Sequence, residues 1–433
     1  MRKSLTNNKV VRNASWIIAC KIIQAVLGLL ISMITARYLG PSNYGLISYA
    51  ASIVEFVVPI MLLGLYSTLV QEIIEGKDSE GTILGTATAM SFVSSVFCVI
   101  GVFIFTFFVN AGEKETISVV MLYSLLLIFQ SLELVQCWFQ AKYLAKYSSI
   151  MMLTAYVVVS GYKIILLITG KDVRWFALSN ALDHFVIAAG LYLLYRRLGS
   201  DPYKFSLETA GRLFSNSKYY IISGLMVTVF SQTDRVMLKL MRGDAETGYY
   251  SAAAASAVLT RFVFAAIIDS ARPLILEGKK TSREMFEKNM IRLYSIILYG
   301  SFLQSIGMAL FADLIIRILY GADYMPAVPA LRIVVWYCTF SYIGSVRNIW
   351  LLSNNKQRYL WMINLAGALA NVLLNLLLIP GYGIIGASTA SLITQFFTNV
   401  IVGFIFKPIR GNNRLMVRAL HPRCVLEILK KAR

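Results

Sequence analysis

The sequence predicts an all-α polytopic membrane protein, with twelve transmembrane helices in two parallel-repeat lobes of six. Three observations predict this. The 433 residues are 58% hydrophobic and only 15% charged, with a mean hydropathy of +0.66, whereas a soluble chain carries about a quarter charged residues. Apolar runs recur at lengths that match the roughly 20 residues needed to cross the hydrocarbon core. Two segments in corresponding places also repeat at a constant offset of 203 residues.

The spans run approximately 14–37, 43–71, 83–110, 116–138, 148–169, 175–195, 217–241, 247–270, 292–319, 326–351, 359–379 and 382–406. The first follows Arg2, Lys3, Lys9 and Arg12 but is too long for a signal-peptide core and has no small-residue cleavage site, so it is expected to stay as a helix. Basic residues set the orientation. With the N-terminus inside, inward segments hold 29 Lys and Arg against 6 outward, which places both termini in the cytoplasm. Arg347 is counted with the inward set and Arg332 with the spans.

The same bias accounts for the net charge of +19: basic loops meet anionic lipid headgroups, and no nucleic-acid partner is implied. The five cysteines (Cys20, Cys98, Cys137, Cys338, Cys424) show neither metal nor disulfide spacing and read as packing residues.

The longest inward loop, Leu198 to Asn216, divides the chain. Residues 1–197 form an N-terminal lobe, 198–216 a cytoplasmic linker, 217–406 a C-terminal lobe and 407–433 a basic cytoplasmic tail. Six spans per half bring both halves in from the same side, so a repeat should be parallel. Gly40 to Ala51 (GPSNYGLISYAA) and Gly243 to Ala254 (GDAETGYYSAAA) align Gly40 with Gly243, Gly45 with Gly248 and Ser48 with Ser251. Each segment joins the first span of its half to the second.

Charges inside the spans are the candidate functional residues. Lys21, Glu55, Lys163, Arg235, Lys239 and Arg261 lie in apolar stretches, where an unpaired charge costs about 2.5–3.5 kcal/mol even on lenient scales. Such residues face a bundle interior or a water-filled cavity, and retained cations suit an anionic cargo. Lys21, Gln24, Gly28, Ser32 and Thr35 recur at helical spacing as one polar stripe. The offset places Gly224, Ser231 and Arg235 on the equivalent stripe of span seven. Lys21, Arg235, Lys239, Arg261 and Lys163 are the expected substrate-binding cations. Glu55 and Asp269 either neutralise buried cations or bind a coupling proton or sodium ion. Gln130, Glu133, Gln136 and Gln140 in span four, and Asn364, Gly367, Asn371 and Asn375 in span eleven, form stripes suited to hydrogen bonding between helices. Asp183 and His184 stand as an ionisable pair in span six without further metal ligands. No phosphate-binding glycine run, His/Cys cluster or catalytic triad spacing is present, so neither catalysis nor a cofactor is expected.

RYLGPSNYGLISYA (Arg37 to Ala50), LYGADYMPAVPALRI (Leu319 to Ile333) and NLLLIPGYGIIGASTASLI (Asn375 to Ile393) resemble the corresponding segments of bacterial polysaccharide flippases. These belong to the multidrug/oligosaccharidyl-lipid/polysaccharide exporter superfamily, and the resemblance covers nearly the whole chain. It implies transport of undecaprenyl-diphosphate-linked oligosaccharide across the cytoplasmic (inner) membrane for O-antigen, capsule or exopolysaccharide assembly. The implied mechanism is alternating access, with a cationic cavity receiving the diphosphate, and with polysaccharide polymerase machinery as a pathway partner. In the related peptidoglycan-precursor flippases, cations in the first, second and eighth spans matter; Lys21 and Arg261 occupy comparable spans, and Glu55 departs from that pattern. Two other readings stand beside this one. A cation-coupled multidrug antiporter should prefer carboxylates in its cavity. A membrane polymerase or glycosyltransferase needs a large catalytic loop that is absent here.

Overall fold

In hydrocarbon the backbone must satisfy its own hydrogen bonds, and the chain is helical throughout, with no strand among the described residues. The computed structural model describes the backbone of residues 2–199 and 201–421, and the side chains of Trp16, residues 20–199 and residues 201–421. Cys424, the tail beyond His421 and the side chains of Arg2, Lys3, Lys9 and Arg12 lie outside the described residues. The chain divides into two compact units, Met1–Thr228 and Val229–Arg433. The division falls inside the helix Leu207–Arg242.

Eight helices among the described residues are long and apolar enough to cross a membrane, or nine if the bent pair Asp244–Ala257 and Arg261–Thr281 is one span. This falls below the expected twelve for two physical reasons. Cys20–Met61 and Gln357–Ile405 each run on through a non-helical glycine, Gly40 and Gly383, so two apolar runs join into one. Leu207–Arg242 is 36 residues long, but Asp234, Arg235 and Lys239 fall within two turns of it and dilute its hydropathy.

The repeat seen in the sequence has a backbone counterpart. Gly40 adopts φ 72°, ψ 172° and Gly243 adopts φ 92°, ψ −175°, a region open almost solely to glycine. Pro41 bars the residue before it from helical geometry, which turns the chain at Gly40. The later turns match in the same order. Gly112 and Gly321 have φ of 90° and 93°, and Gly170 and Gly383 have φ of 67° and 52°. At Gly383 space is a second reason for glycine, because a Cβ there would lie 2.2 Å from the Glu246 carboxylate. That carboxylate accepts the Ile384 N–H at 3.1 Å, which satisfies one of the orphan donors that open the following helix.

Three helices are interrupted where polar groups must be placed. The fourth is split into Lys114–Ser124, Leu126–Ser131, a 3-10 turn Leu132–Val135 and Gln136–Ala141. The pair Asp244–Ala257 and Arg261–Thr281 bends by 43°. A π-helical turn at Phe397–Ile401 follows Leu360–Phe396. That turn explains Arg347, which the charge count assigned to the inward loops. It is buried in Val328–Ser353 and donates from Nη1 to the Thr398 carbonyl at 2.8 Å. Cys20, Cys98, Cys137 and Cys338 are free and buried.

Residues 201–216, expected as a loop joining the lobes, are docked on unit 1. Lys204 N–H donates to the Gly81 carbonyl at 3.2 Å and Ser206 N–H to Thr86 Oγ1 at 3.0 Å. Arg212 bridges Asp78 at 2.5 Å and Glu72 at 3.4 Å. Thr209 donates to Asp78 at 2.7 Å and Asn216 to Glu72 at 2.6 Å. Below this clasp, Leu213 joins a core that includes Leu65, Leu69, Trp138 and Tyr195. Trp138 and Tyr195 meet edge to face at 5.1 Å.

Two measurements test these features. Gly40→Ala and Gly243→Ala should each cost about 1–3 kcal/mol, read as a lower thermal midpoint in detergent. Gly161→Ala should leave the midpoint level or higher, because a Cβ there meets open space at helical angles. The second concerns the clasp. Arg212 and Thr209 hold the Asp78 carboxyl below the usual carboxylate range. A lowered folded-state value means the stabilisation is complete above the unfolded value, about pH 4, and is lost as pH falls through the folded one. The gap in thermal midpoint between the wild type and Asp78→Asn should therefore narrow from about pH 7 to about pH 3. A gap independent of pH would remove the ion pair from the account.

Candidate functional site

In unit 1, the broken fourth helix and the uninterrupted helix Val173–Leu198 bring two titratable groups together. Glu133, on the 3-10 turn, and His184 stand 2.7 Å apart, Oε1 to Nδ1, with side chains 14% and 24% exposed. A 3-10 stretch inside a helix shifts the side-chain register, which here sets Glu133 toward the sixth span. Asp183 interacts electrostatically with His184 and with Lys163 of the fifth span, and its Oδ1 is buried without a hydrogen-bond partner. Glu55 of the second span interacts with His184 and stays exposed at the unit surface. Lys163, which has no counterpart in the repeat, thus has an acid beside it. Lys21 is exposed on the first span, with no ion pair among the described residues.

The glutamine stripe of the fourth helix is partly used up in hydrogen bonds between helices. Gln140 donates to the Tyr66 hydroxyl at 3.1 Å and Gln136 to Met152 Sδ at 3.2 Å. Gln130 Oε1 remains buried without a partner.

In unit 2, adjacent residues of the helix Leu207–Arg242 have opposite fates. Asp234 is buried and accepts hydrogen bonds from the hydroxyls of Tyr250 and Ser391, from Asn371 at 3.2 Å and from Asn375 at 2.7 Å. Charge-assisted hydrogen bonds from four neutral donors stabilise this carboxylate in place of a cation. Arg235 points elsewhere: it donates to Gln232 Oε1 at 2.9 Å and Ser251 Oγ at 3.3 Å, with no carboxylate partner among the described residues. Lys239 is buried and donates to Asp244 at 2.9 Å. Arg261 opens the helix Arg261–Thr281, exposed and with no ion pair among the described residues. Asp269 is 67% exposed at its side chain and pairs with Arg272 one turn on, at 3.3 Å.

The structure therefore separates the charges that looked alike in the sequence. Lys239 and Lys163 each have an acid at hand, whereas Lys21, Arg235 and Arg261 have no ion pair among the described residues. The asparagine stripe of span eleven expected to bond between helices does so, through Asp234. The Asp234 cluster as a unit and the His184–Glu133 pair were not legible. The available signals were the four-residue spacing of Asn371 and Asn375, and the placing of single acids in otherwise apolar spans.

Comparison with known proteins agrees with this architecture. The family model described as polysaccharide biosynthesis protein matches residues 10–279. An uncharacterized membrane protein of Methanocaldococcus jannaschii is 27% identical over 245 residues, 54% of this chain and 46% of that protein. The chain thus spans about half the length of the curated relative it matches. Among solved structures, the lipid II flippase MurJ in an inward closed conformation superposes with a TM-score of 0.70 at 15% identity, covering 96% of this chain and 92% of that one. An inward-facing MATE family transporter of the MOP superfamily gives 0.69 at 13% identity, covering 92% and 96%. A MOP superfamily transporter from Pyrococcus furiosus, described as having a binding pocket of reverse polarity, gives 0.54 at 15% identity, covering 95% and 96%. At these identities the likeness is one of fold. The chain is a multi-pass membrane protein with the MOP superfamily transporter fold, and it belongs to the polysaccharide biosynthesis protein family.

Proposed function

We propose that this protein is a flippase that moves undecaprenyl-diphosphate-linked oligosaccharide units across the cytoplasmic membrane by alternating access, with both termini in the cytoplasm. The observation that carries the reading is the sign of the uncompensated charge. Lys21 in unit 1 and Arg235 and Arg261 in unit 2 have no ion pair among the described residues, and Asp234 beside Arg235 is committed to four neutral donors. Cations held without counter-ions in apolar helices are affordable when a ligand brings the opposite charge, and a diphosphate offers two phosphoryl groups for Arg and Lys to grip. The family match supports a role in polysaccharide assembly.

The same fold is shared with multidrug exporters, so charge separates the two readings. An exporter of cationic drugs needs a free carboxylate at its binding site. Glu55 is an exposed acid in a span of unit 1, but it already faces His184, whereas Lys21, Arg235 and Arg261 have no ion pair among the described residues. O-antigen, capsule and exopolysaccharide pathways supply the same diphosphate headgroup, so all three fit this assignment, and a polymerase would consume the translocated product.

Complementation of a strain lacking this gene tests the assignment. Lys21→Ala and Arg261→Ala should each reduce surface polysaccharide by at least tenfold while the amount of folded membrane protein stays normal. Normal polymer in both variants would remove the cations from the transport site. Lys239→Ala should behave differently. Breaking a buried pair strands Asp244 and costs about 3–5 kcal/mol, so the folded protein itself should fall, as read by fluorescence-detected size exclusion.

A further inference from the structure

We propose that unit 1 contains a proton-binding site built from Glu133 and His184, with Asp183, Lys163 and Glu55 around it. It deepens the transport reading above, since a proton bound there is a candidate driving ion for the flippase.

The geometry supports a site in which the proton count can change. Glu133 and His184 stand 2.7 Å apart and are largely shielded from solvent. Asp183 is the next residue to His184 and presents a buried Oδ1 that no hydrogen bond satisfies. Gln130 Oε1, one turn before Glu133, is likewise buried without a donor. Two unsatisfied acceptors beside an imidazole–carboxylate pair describe a pocket short of hydrogen-bond donors, and one more proton supplies a donor.

The charge count points the same way. The titratable groups that interact with the pair are Glu55 of the second span, Asp183 of the sixth and Tyr66 before the third helix; around those acids stand Tyr123 beside Glu55, and Tyr156 and Lys163 of the fifth span beside Asp183. The third helix, Glu80–Val109, packs on the turn that carries Glu133 and brings no charged side chain except Glu80 at its end. Lys21 of the first span is exposed beyond the cluster. Three carboxylates therefore face one lysine and one histidine. With the imidazole neutral, the cluster carries a formal charge of −2; one proton from water makes the imidazolium and brings it to −1. Proton entry thus lowers the net charge held inside the apolar unit, and no other group need move. Glu55, an exposed carboxylate that interacts electrostatically with His184, is the acid of the cluster nearest the edge of the unit's packing.

Among the described residues of unit 2, the acid Asp234 is held differently, by hydroxyl and amide donors with no histidine hydrogen-bonded to it.

The chain has two histidines, His184 and His421, so histidine-labelled NMR of the full protein in nanodiscs reports the site directly, with His421→Gln assigning the signals. In the wild type, the His184 signal should titrate between about pH 5 and pH 9. Glu133→Gln should move its midpoint by at least one pH unit, a tenfold change in proton affinity, and Glu55→Gln should move it less. A His184 signal that does not change over that range in the wild type overturns the proposal without any variant. So does a midpoint that Glu133→Gln leaves in place while the His421 signal and the elution profile show a folded protein. The titration does not depend on cargo. A coupled His184–Glu133 titration in a chain that moves no lipid-linked sugar would keep the proton site and discard the flippase reading, and an active flippase with a silent His184 would do the reverse.

Discussion

Hydrocarbon offers no partner to a stray charge or a stray backbone group, and every notable feature of this protein answers that constraint. The backbone answers it with helices, three of them interrupted, joined at glycines whose angles other residues avoid. Gly40, Gly112 and Gly170 turn the first unit, and Gly243, Gly321 and Gly383 turn the second. Side chains answer it by pairing inside their own unit. Arg347 takes a carbonyl at the π-helical turn, Lys239 takes Asp244, and Asp234 gathers four neutral donors.

The two units answer the constraint with different chemistry. In unit 2 the buried acid is fixed by hydroxyls and amides from three other helical segments, so its environment does not depend on a second titratable group. In unit 1 the acids are balanced by a lysine and a histidine, whose charge can change. A repeated backbone thus supports one lobe with a fixed charge pattern and one whose charge follows its proton occupancy.

Composition reads residues 198–216 as a cytoplasmic linker loop between the lobes, and the structure adds detail over 201–216. The backbone of that segment bonds to the start of the third helix, and Arg212 joins Asp78 and Glu72. A chain that must reverse out of the membrane next to buried acids finds partners for its polar groups there, so the link is part of the first unit.

Membrane class, the positions of most spans and the repeat were legible in the sequence, because hydropathy and glycine placement are local properties. The Gly40 and Gly243 match at an offset of 203 falls on two turns of like backbone conformation. The roles of the buried charges were not legible. Asp234 and Arg235 are neighbours in sequence, yet a helix turns successive side chains about 100° apart, so they face different surroundings. Glu133 and His184 are 51 residues apart and meet only because a 3-10 turn re-aims one of them. By itself the sequence determined that charges are held inside a membrane protein and that cations exceed acids. Which of them are spent on each other, and which remain for a ligand or a proton, was decided by tertiary packing, because in a low-dielectric interior a charge is defined by its nearest partner.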